Sequence, residues 1–400
     1  MSTEPIVIDT SDPAFLANPY PLFRRLRNEA PVHWWDRGHM WMLSRHADVE
    51  ATLKDPRFTV DNRKWRFHRG NDQLPRELID QAENGLFQLG STDHARVRRL
   101  VSPSFTPRAA AKRELLVQEI VDELLAKIDP QSFDLVADFA EHLPFLVIGR
   151  ILGISAEHEH EFREWGHALI QVTFPLLPPD EHLAMARSTV PGFGLLERVI
   201  EERRRSPGDD MLSSLIQAEE EGERLSSAEL VSLVGGLVTA GSETTVHLLA
   251  FAVLELLRHP ETLARVREDL GLLPGVIEEV LRHDNFGGLG VARFALEEVE
   301  IRGQTIAKGD MVMLLLGAAM HDEDVWPDAE RFDIDREPAP NLSFGRGPHF
   351  CLGANLARAE ARVALQTLLT RYPDMQLTGE PVFRPHPLLR QMVSLPLRLQ

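Results

Sequence analysis

The 400-residue chain contains a single cysteine, Cys351. One thiol excludes an intramolecular disulfide and cannot hold an iron–sulfur cluster. Basic residues are in deficit: 43 Lys and Arg against 61 Asp and Glu give a formal charge of −18. That balance disfavours nucleic acid or an anionic membrane as the principal partner. Long apolar runs are lacking. The longest candidate, Met311 to Met320, falls well short of the ~20 residues a bilayer crossing needs. Glu4, Asp9 and Asp12 stand where a secretory leader would carry a basic and then an apolar stretch. A GxGxxG dinucleotide fingerprint is absent, and Gly287-Gly288-Leu289-Gly290 opens no predicted helix, so it does not read as a phosphate loop. Internal repeats, low-complexity segments and long linkers are also missing. The expectation is a cytoplasmic monomer that binds neither nucleic acid nor membrane and draws any electrons from outside.

What is present describes a sizeable folded core, with 43% hydrophobic and 26% charged residues. Residues 32–35 and 41–44 read as two short strands joined by a turn. Residues 58–90 read as irregular. From His94 to Arg282 helical patterns succeed one another almost without interruption, including single helices over roughly 107–128, 181–205 and 226–257. Strand-like sequence returns over 291–313, a proline-bearing loop runs from 321 to 344, and a last helix runs from 354 to about 371. Isolated hairpins are marginal, so the two β-rich parts are expected to meet. The chain therefore reads as one α-rich α+β unit over 1–400. Its β-rich subregions are about 30–60, 291–315 and 375–400, and its helical regions about 94–282 and 354–371.

The cysteine sits in Phe344-Gly345-Arg346-Gly347-Pro348-His349-Phe350-Cys351-Leu352-Gly353, directly before a helix. Dipole and free N–H groups at a helix N-terminus favour a thiolate there. Given one cysteine, composition alone places Phe344, Gly347 and Gly353 at these offsets roughly 2 times in 10,000. The segment resembles the cysteine-ligand loop of the cytochrome P-450 superfamily, the haem-thiolate monooxygenases. Three further stretches resemble the same family in the same order. Ala240-Gly241-Ser242-Glu243-Thr244-Thr245, inside the long helix, is similar to its acid–alcohol pair. Glu279-Val280-Leu281-Arg282 is similar to a buried Glu–Arg pair that an arginine ahead of the cysteine loop completes, here matched to Arg331. His94 and Arg98, four apart on one helix face, match haem-propionate contacts, as do Arg293 and His349.

The resemblance implies a mainly helical fold with small sheets. Haem b lies between the long central helix and the cysteine loop, with Cys351 as the iron ligand. It implies that Glu243 and Thr244 relay protons during oxygen activation, and that Thr244 bonds back to the Ala240 carbonyl and opens the helix locally. The expected activity is insertion of one oxygen atom, by hydroxylation or epoxidation, into an apolar organic substrate of bacterial secondary metabolism. O2 is the oxidant, and electrons come from an external ferredoxin with its NAD(P)H-dependent reductase. A basic patch of Arg96, Arg99, Arg108, Lys112, Arg113, Arg346, Arg358 and Arg362 is expected to dock that ferredoxin. Pocket positions implied by the family are the 61–89 loop, Leu169 to Leu177, Gly236, Ala240, Gly288, Leu289, Leu388 and Leu389. Their small side chains suggest room for a terpenoid, steroid, fatty acid or macrolide-like molecule. The competing readings are peroxide-driven or other non-monooxygenase haem-thiolate chemistry, and a non-catalytic haem carrier or sensor. The Glu243–Thr244 pair argues against both.

Overall fold

The computed structural model describes residues 5–10, 12–68, 73–173, 179–220, 225–284, 290–384 and 390–400. The two β-rich parts meet as expected. Met40–Leu43 pairs in parallel with Met311–Leu314 across a sequence gap of 271 residues at Met40↔Met311. A five-stranded sheet forms around that contact, in the order Val32–Trp35, Met40–Leu43, Met311–Leu314, Val291–Ala295, Phe58–Thr59. All its other pairings are antiparallel. The chain's end goes elsewhere: Pro396–Arg398 pairs with Phe133–Asp134 and Gln376–Leu377, inside the helical part.

The central helix, Ser227–Arg258, is the longest described element. Its start is fixed by a capping box. Ser226 Oγ accepts from the Glu229 N–H at 3.2 Å, and the Glu229 carboxylate accepts from the Ser226 N–H at 2.7 Å. The helix is apolar enough and long enough to cross a bilayer, yet 67% of its most apolar stretch is buried inside the protein. It is a core helix, packed on the helices Leu143–Leu152, Glu159–Thr173, Leu273–His283 and Ala354–Arg371.

Three helical details differ from the sequence expectation. The 58–90 segment contains a helix, Arg76–Asn84, that packs directly on the central helix. An isolated nine-residue helix is marginal, so docking of its buried Leu78 stabilises what local propensity does not announce. The stretch expected to run unbroken over 107–128 is two helices, Pro107–Lys112 and Glu114–Leu125. The expected helix 181–205 is also split, into Pro179–Ser188 and Val190–Arg205, at the turn before Pro191.

A buried ion network ties the helix Leu273–His283 to the loop that leads into Cys351. Arg282 meets both Glu279 oxygens, at 2.8 and 2.7 Å, and donates to the carbonyls of Met320, Ala329 and Arg331. The third member is Arg336, not Arg331. Arg336 Nε approaches Glu279 at 3.4 Å, and its other nitrogens hold the carbonyls of Pro327, Asp328 and Arg331. The turn at Asp328, whose φ is +51°, points the Arg331 carbonyl inward. The Arg331 side chain goes outward to Asp333, 66% exposed against 12% for Arg336. Removing one partner of a buried ion pair leaves an uncompensated charge, at a cost of about 3–5 kcal/mol. Chemical denaturation should therefore show Glu279→Gln losing stability of that order and Arg336→Ala a substantial part of it. Arg331→Ala should stay within about 0.5 kcal/mol of wild type; a large loss there would restore Arg331 as the third member.

Candidate active site

Two left-handed residues shape the cysteine loop: Gly345 at φ +69° and Gly347 at φ +71°. At Gly347 a side chain would also crowd the Leu53 carbonyl, 3.1 Å from where its Cβ would sit. The loop closes when the Cys351 N–H donates to the Phe344 carbonyl at 2.8 Å. The thiol faces the N–H groups of Gly353 and Ala354 at the start of the helix Ala354–Arg371. Burial nevertheless pushes the thiol pKa up; those N–H groups and the nearby Arg98 and Arg358 only oppose the rise. The helix terminus alone thus does not make the thiolate, contrary to the expectation from sequence. Desolvation dominates, and a bound cation must supply the rest.

Beside the cysteine, four cationic or hydrogen-bonding side chains converge from three elements. The rings of His94 and His349 lie 4.1 Å apart. Arg98 donates to the Phe350 carbonyl at 2.5 Å. Arg293 is buried, and its Nη1 donates to its neighbour's carbonyl, that of Ala292, at 2.9 Å. Burial pushes the Arg293 pKa down to about 10. It pushes His349 down to about 3, helped by the repulsion of His94, Arg293 and Arg98. His94 is lowered by burial and by Arg98, and its Nε2 is buried with no partner. Among the described residues no carboxylate offsets this group. A cluster of buried and half-buried donors without an anion among the described residues fits the two carboxylates of a haem, next to a thiol that lacks a cation. His94, Arg98, Arg293, His349 and Cys351 therefore form one cluster, as expected.

Further along, the central helix opens to solvent where it should be most covered. Ala240 and Gly241 are exposed at mid-helix, and a Cβ on Gly241 would meet nothing within 4 Å. Thr244 Oγ1 donates to the Ala240 carbonyl at 2.9 Å. Thr239, Ser242 and Thr245 make the same bond to the residue four back. The back-bond is as expected, but the local opening is not: the helix is continuous from 227 to 258. Glu243 accepts from Gln391 Nε2 at 2.9 Å, while its Oε2 is buried without a partner. Burial raises its pKa to about 7, against the pull of Arg384 and with the push of Glu141. Near neutral pH this carboxyl can both hold and release a proton.

At Gly236 a Cβ would sit 3.5 Å from the ring of Phe87, which is 55% exposed. At Gly235 it would collide with Gln81 Nε2 at 2.8 Å. The paired glycines thus form the notch in which the 76–87 segment lies. Gly288, Leu289, Leu388 and Leu389 fall outside the described residues. Gln81 and Phe87 fall inside the expected 61–89 loop without being singled out there, and Gln391, Glu141 and Arg384 were missed in the sequence. Only the glycine pair could have pointed to a close neighbour, and none of these residues belongs to a local motif.

The expected basic patch is partly neutralised. Arg358 pairs with Glu278 and Arg362 with Glu114, each at 2.5 Å, and Arg96 pairs with Glu229. These acids come from other helices, so the charge read along the sequence overstates the field. Arg108 and Lys112 make no ion pair among the described residues.

Known proteins share the sequence family and the fold. The cytochrome P-450 family model matches residues 31–392. The chain is 42% identical to the epothilone C/D epoxidase of Sorangium cellulosum over 96% of this chain and 93% of that protein. It is 39% identical to the cytochrome P-450 monooxygenase PikC of Streptomyces venezuelae over 96% and 92%. A crystal structure of an epothilone D-bound cytochrome P-450, P-450epoK, superposes with a TM-score of 0.93, at 40% identity, over 98% of this chain and 99% of that one.

A charge-assisted hydrogen bond contributes about 1.5–3 kcal/mol, which corresponds to about 10–100-fold in an equilibrium constant. Arg98→Ala and Arg293→Ala should each speed transfer of haem to a scavenging globin by that order, with the circular dichroism of the fold retained. Transfer at the wild-type rate in both would contradict the propionate assignment.

Proposed function

The chain belongs to the cytochrome P-450 family, and on that premise we propose how its own residues run a haem-dependent monooxygenase and what it oxidises. The observation that carries the reading is the group of buried and half-buried donors around Cys351 that has no carboxylate partner among the described residues. Cys351 would be the iron ligand, and His94, Arg98, Arg293 and His349 would hold the propionates. Bound haem supplies the redox and oxygen-activating chemistry. The protein's part is positioning and protons. Glu243 holds a proton that it can release near neutral pH. Thr244 presents its hydroxyl beside the exposed Ala240–Gly241 surface, its own proton committed to the Ala240 carbonyl and its lone pairs free to accept. Each turnover consumes O2, two electrons and two protons, and yields oxygenated substrate and water.

The substrate we propose is a large apolar, macrolide-like polyketide, oxidised by epoxidation or hydroxylation. Two lines support it. Ala240 and Gly241 leave the middle of the central helix without bulky side chains, beyond the notch that Gln81 and Phe87 occupy. The curated relatives include the epothilone epoxidase and a polyketide-biosynthesis P-450 of Bacillus subtilis, 32% identical over 96% of this chain. Electrons come from a redox partner; we assign an acidic ferredoxin docking near Arg108 and Lys112, on the side of the helices Pro107–Lys112 and Ala354–Arg371, in the bacterial cytoplasm.

A reconstituted assay with ferredoxin, reductase and reduced nicotinamide tests the reading. A macrolide-like substrate should perturb the haem spectrum and gain one oxygen atom, whereas perturbation only by small polar compounds would contradict the substrate class. Thr244→Ala should bind substrate normally but lose product per reducing equivalent by about tenfold or more; full coupling would remove Thr244 from the relay. Lys112→Glu should slow reduction and weaken its salt dependence, and unchanged kinetics would refute the docking site.

A further inference from the structure

Glu243 must be reloaded with a proton each turnover, and its side chain is buried. Its surroundings lie on two elements that the family motifs do not include. The first is the hairpin formed by Val382–Arg384 and Gln391–Ser394. Gln391, which donates to Glu243, stands directly opposite Arg384 in the register. Directly opposed residues of an antiparallel pair project on the same face, so Arg384 reaches toward the same carboxyl, and it is itself exposed. The second is the π-turn Val136–Ala140, which packs on both the central helix and that hairpin strand. The turn closes by an N–H from Glu141 to the Val136 carbonyl at 3.0 Å. Single π-turns recur at functional sites because the extra residue re-aims the next side chains along the helix. Here the next residue is Glu141, half-buried and within electrostatic reach of Arg384, as Glu243 is.

We propose that Glu141 is the outer proton station for Glu243, and that Arg384 sets the charge balance between the two carboxyls. Two carboxyls and one guanidinium are neutral when they carry a single proton. When Glu243 gives its proton to the reaction, Glu141 takes up a proton from bulk water beside Arg384 and passes it inward through hydrogen-bonded solvent, which restores the single shared proton. No electrons move in this step. Glu141 and Arg384 act through Glu243, so they are positioning residues. The other titratable groups nearby are accounted for. Asp134 is held by the Val136, Ala137 and Leu395 N–H groups and by Ser394, and Asp138 by the Asp134 N–H. His142 is adjacent to Glu141, and His247 lies one turn beyond Glu243 on the central helix.

The inference rests on Glu243 as proton donor, and the experiment separates the two. In the haem-loaded enzyme, the protonated-carboxyl infrared band that Glu243→Gln removes is titrated in wild type, Glu141→Gln and Arg384→Gln. Burial holds the Glu243 pKa up, Arg384 pulls it down and Glu141 pushes it further up. Removing the Arg384 charge should therefore move the midpoint to higher pH, and removing the Glu141 charge should move it lower. The opposite signs are a signature that a merely structural role would not produce. Above the wild-type midpoint, Glu141→Gln should lower product per reducing equivalent about tenfold and enlarge the solvent isotope effect. If Glu243→Gln uncouples the enzyme but both outer variants leave the midpoint in place, or move it the same way, the relay is overturned. If Glu243→Gln leaves coupling intact, the reading of Glu243 itself falls, and the relay with it.

Discussion

Desolvation of unmatched charge is the constraint on which this structure turns. Around the cysteine loop every shifted group is displaced toward its neutral form. The Cys351 thiol is raised; His349 falls to about 3 and Arg293 to about 10, each chiefly through burial. A protein rarely buries such groups without partners, because a buried charge left unpaired costs several kcal/mol. The imbalance is complementary. One side lacks a cation for a thiolate, and the adjoining side lacks anions for four donors. Haem would bring both, its iron for the sulfur and its propionates for the donors. Holoprotein stability and haem affinity are then one quantity seen from two sides.

The same principle acts on the proton side with the opposite purpose. Glu243 is kept near neutrality by burial, which makes it a proton carrier rather than a fixed charge. The Glu279–Arg282–Arg336 network represents the third way of handling buried charge. There each ion has a partner: Glu279 accepts from both arginines, and Arg282 also satisfies three carbonyls of the loop that leads to Cys351. Matched charge gives rigidity where the ligand must be held; unmatched charge gives affinity where haem must dock; a shifted acid gives exchange where protons must move.

How much of this was legible in the sequence depends on the range of each interaction. Cys351, Glu243, Thr244 and the order of elements are local patterns, set by residues within a helical turn or a loop, and so they stand out in the sequence. The pairing of the two β-rich parts was legible from the instability of isolated hairpins. The helix Arg76–Asn84 was not, because it is stabilised by docking on the central helix rather than by its own residues. Arg336 was missed because Arg331 occupies the motif position, while the turn at Asp328 decides which arginine points inward. Gln391 lies 148 residues from Glu243, and Glu278 lies 80 residues from the Arg358 it neutralises. Partners that distant leave no periodic trace, so the sequence overstated the basic patch and was silent on Glu141 and Arg384.

The central claim is that Cys351, as a thiolate, holds the haem iron on the side of the helix Ala354–Arg371. The carbon monoxide difference spectrum of the reduced, haem-loaded protein tests it most directly. The thiolate-type band should be present in the wild type and lost in Cys351→His, where an imidazole-type band should replace it. Survival of the thiolate-type band in Cys351→His, or its absence from the intact wild type, would contradict the account.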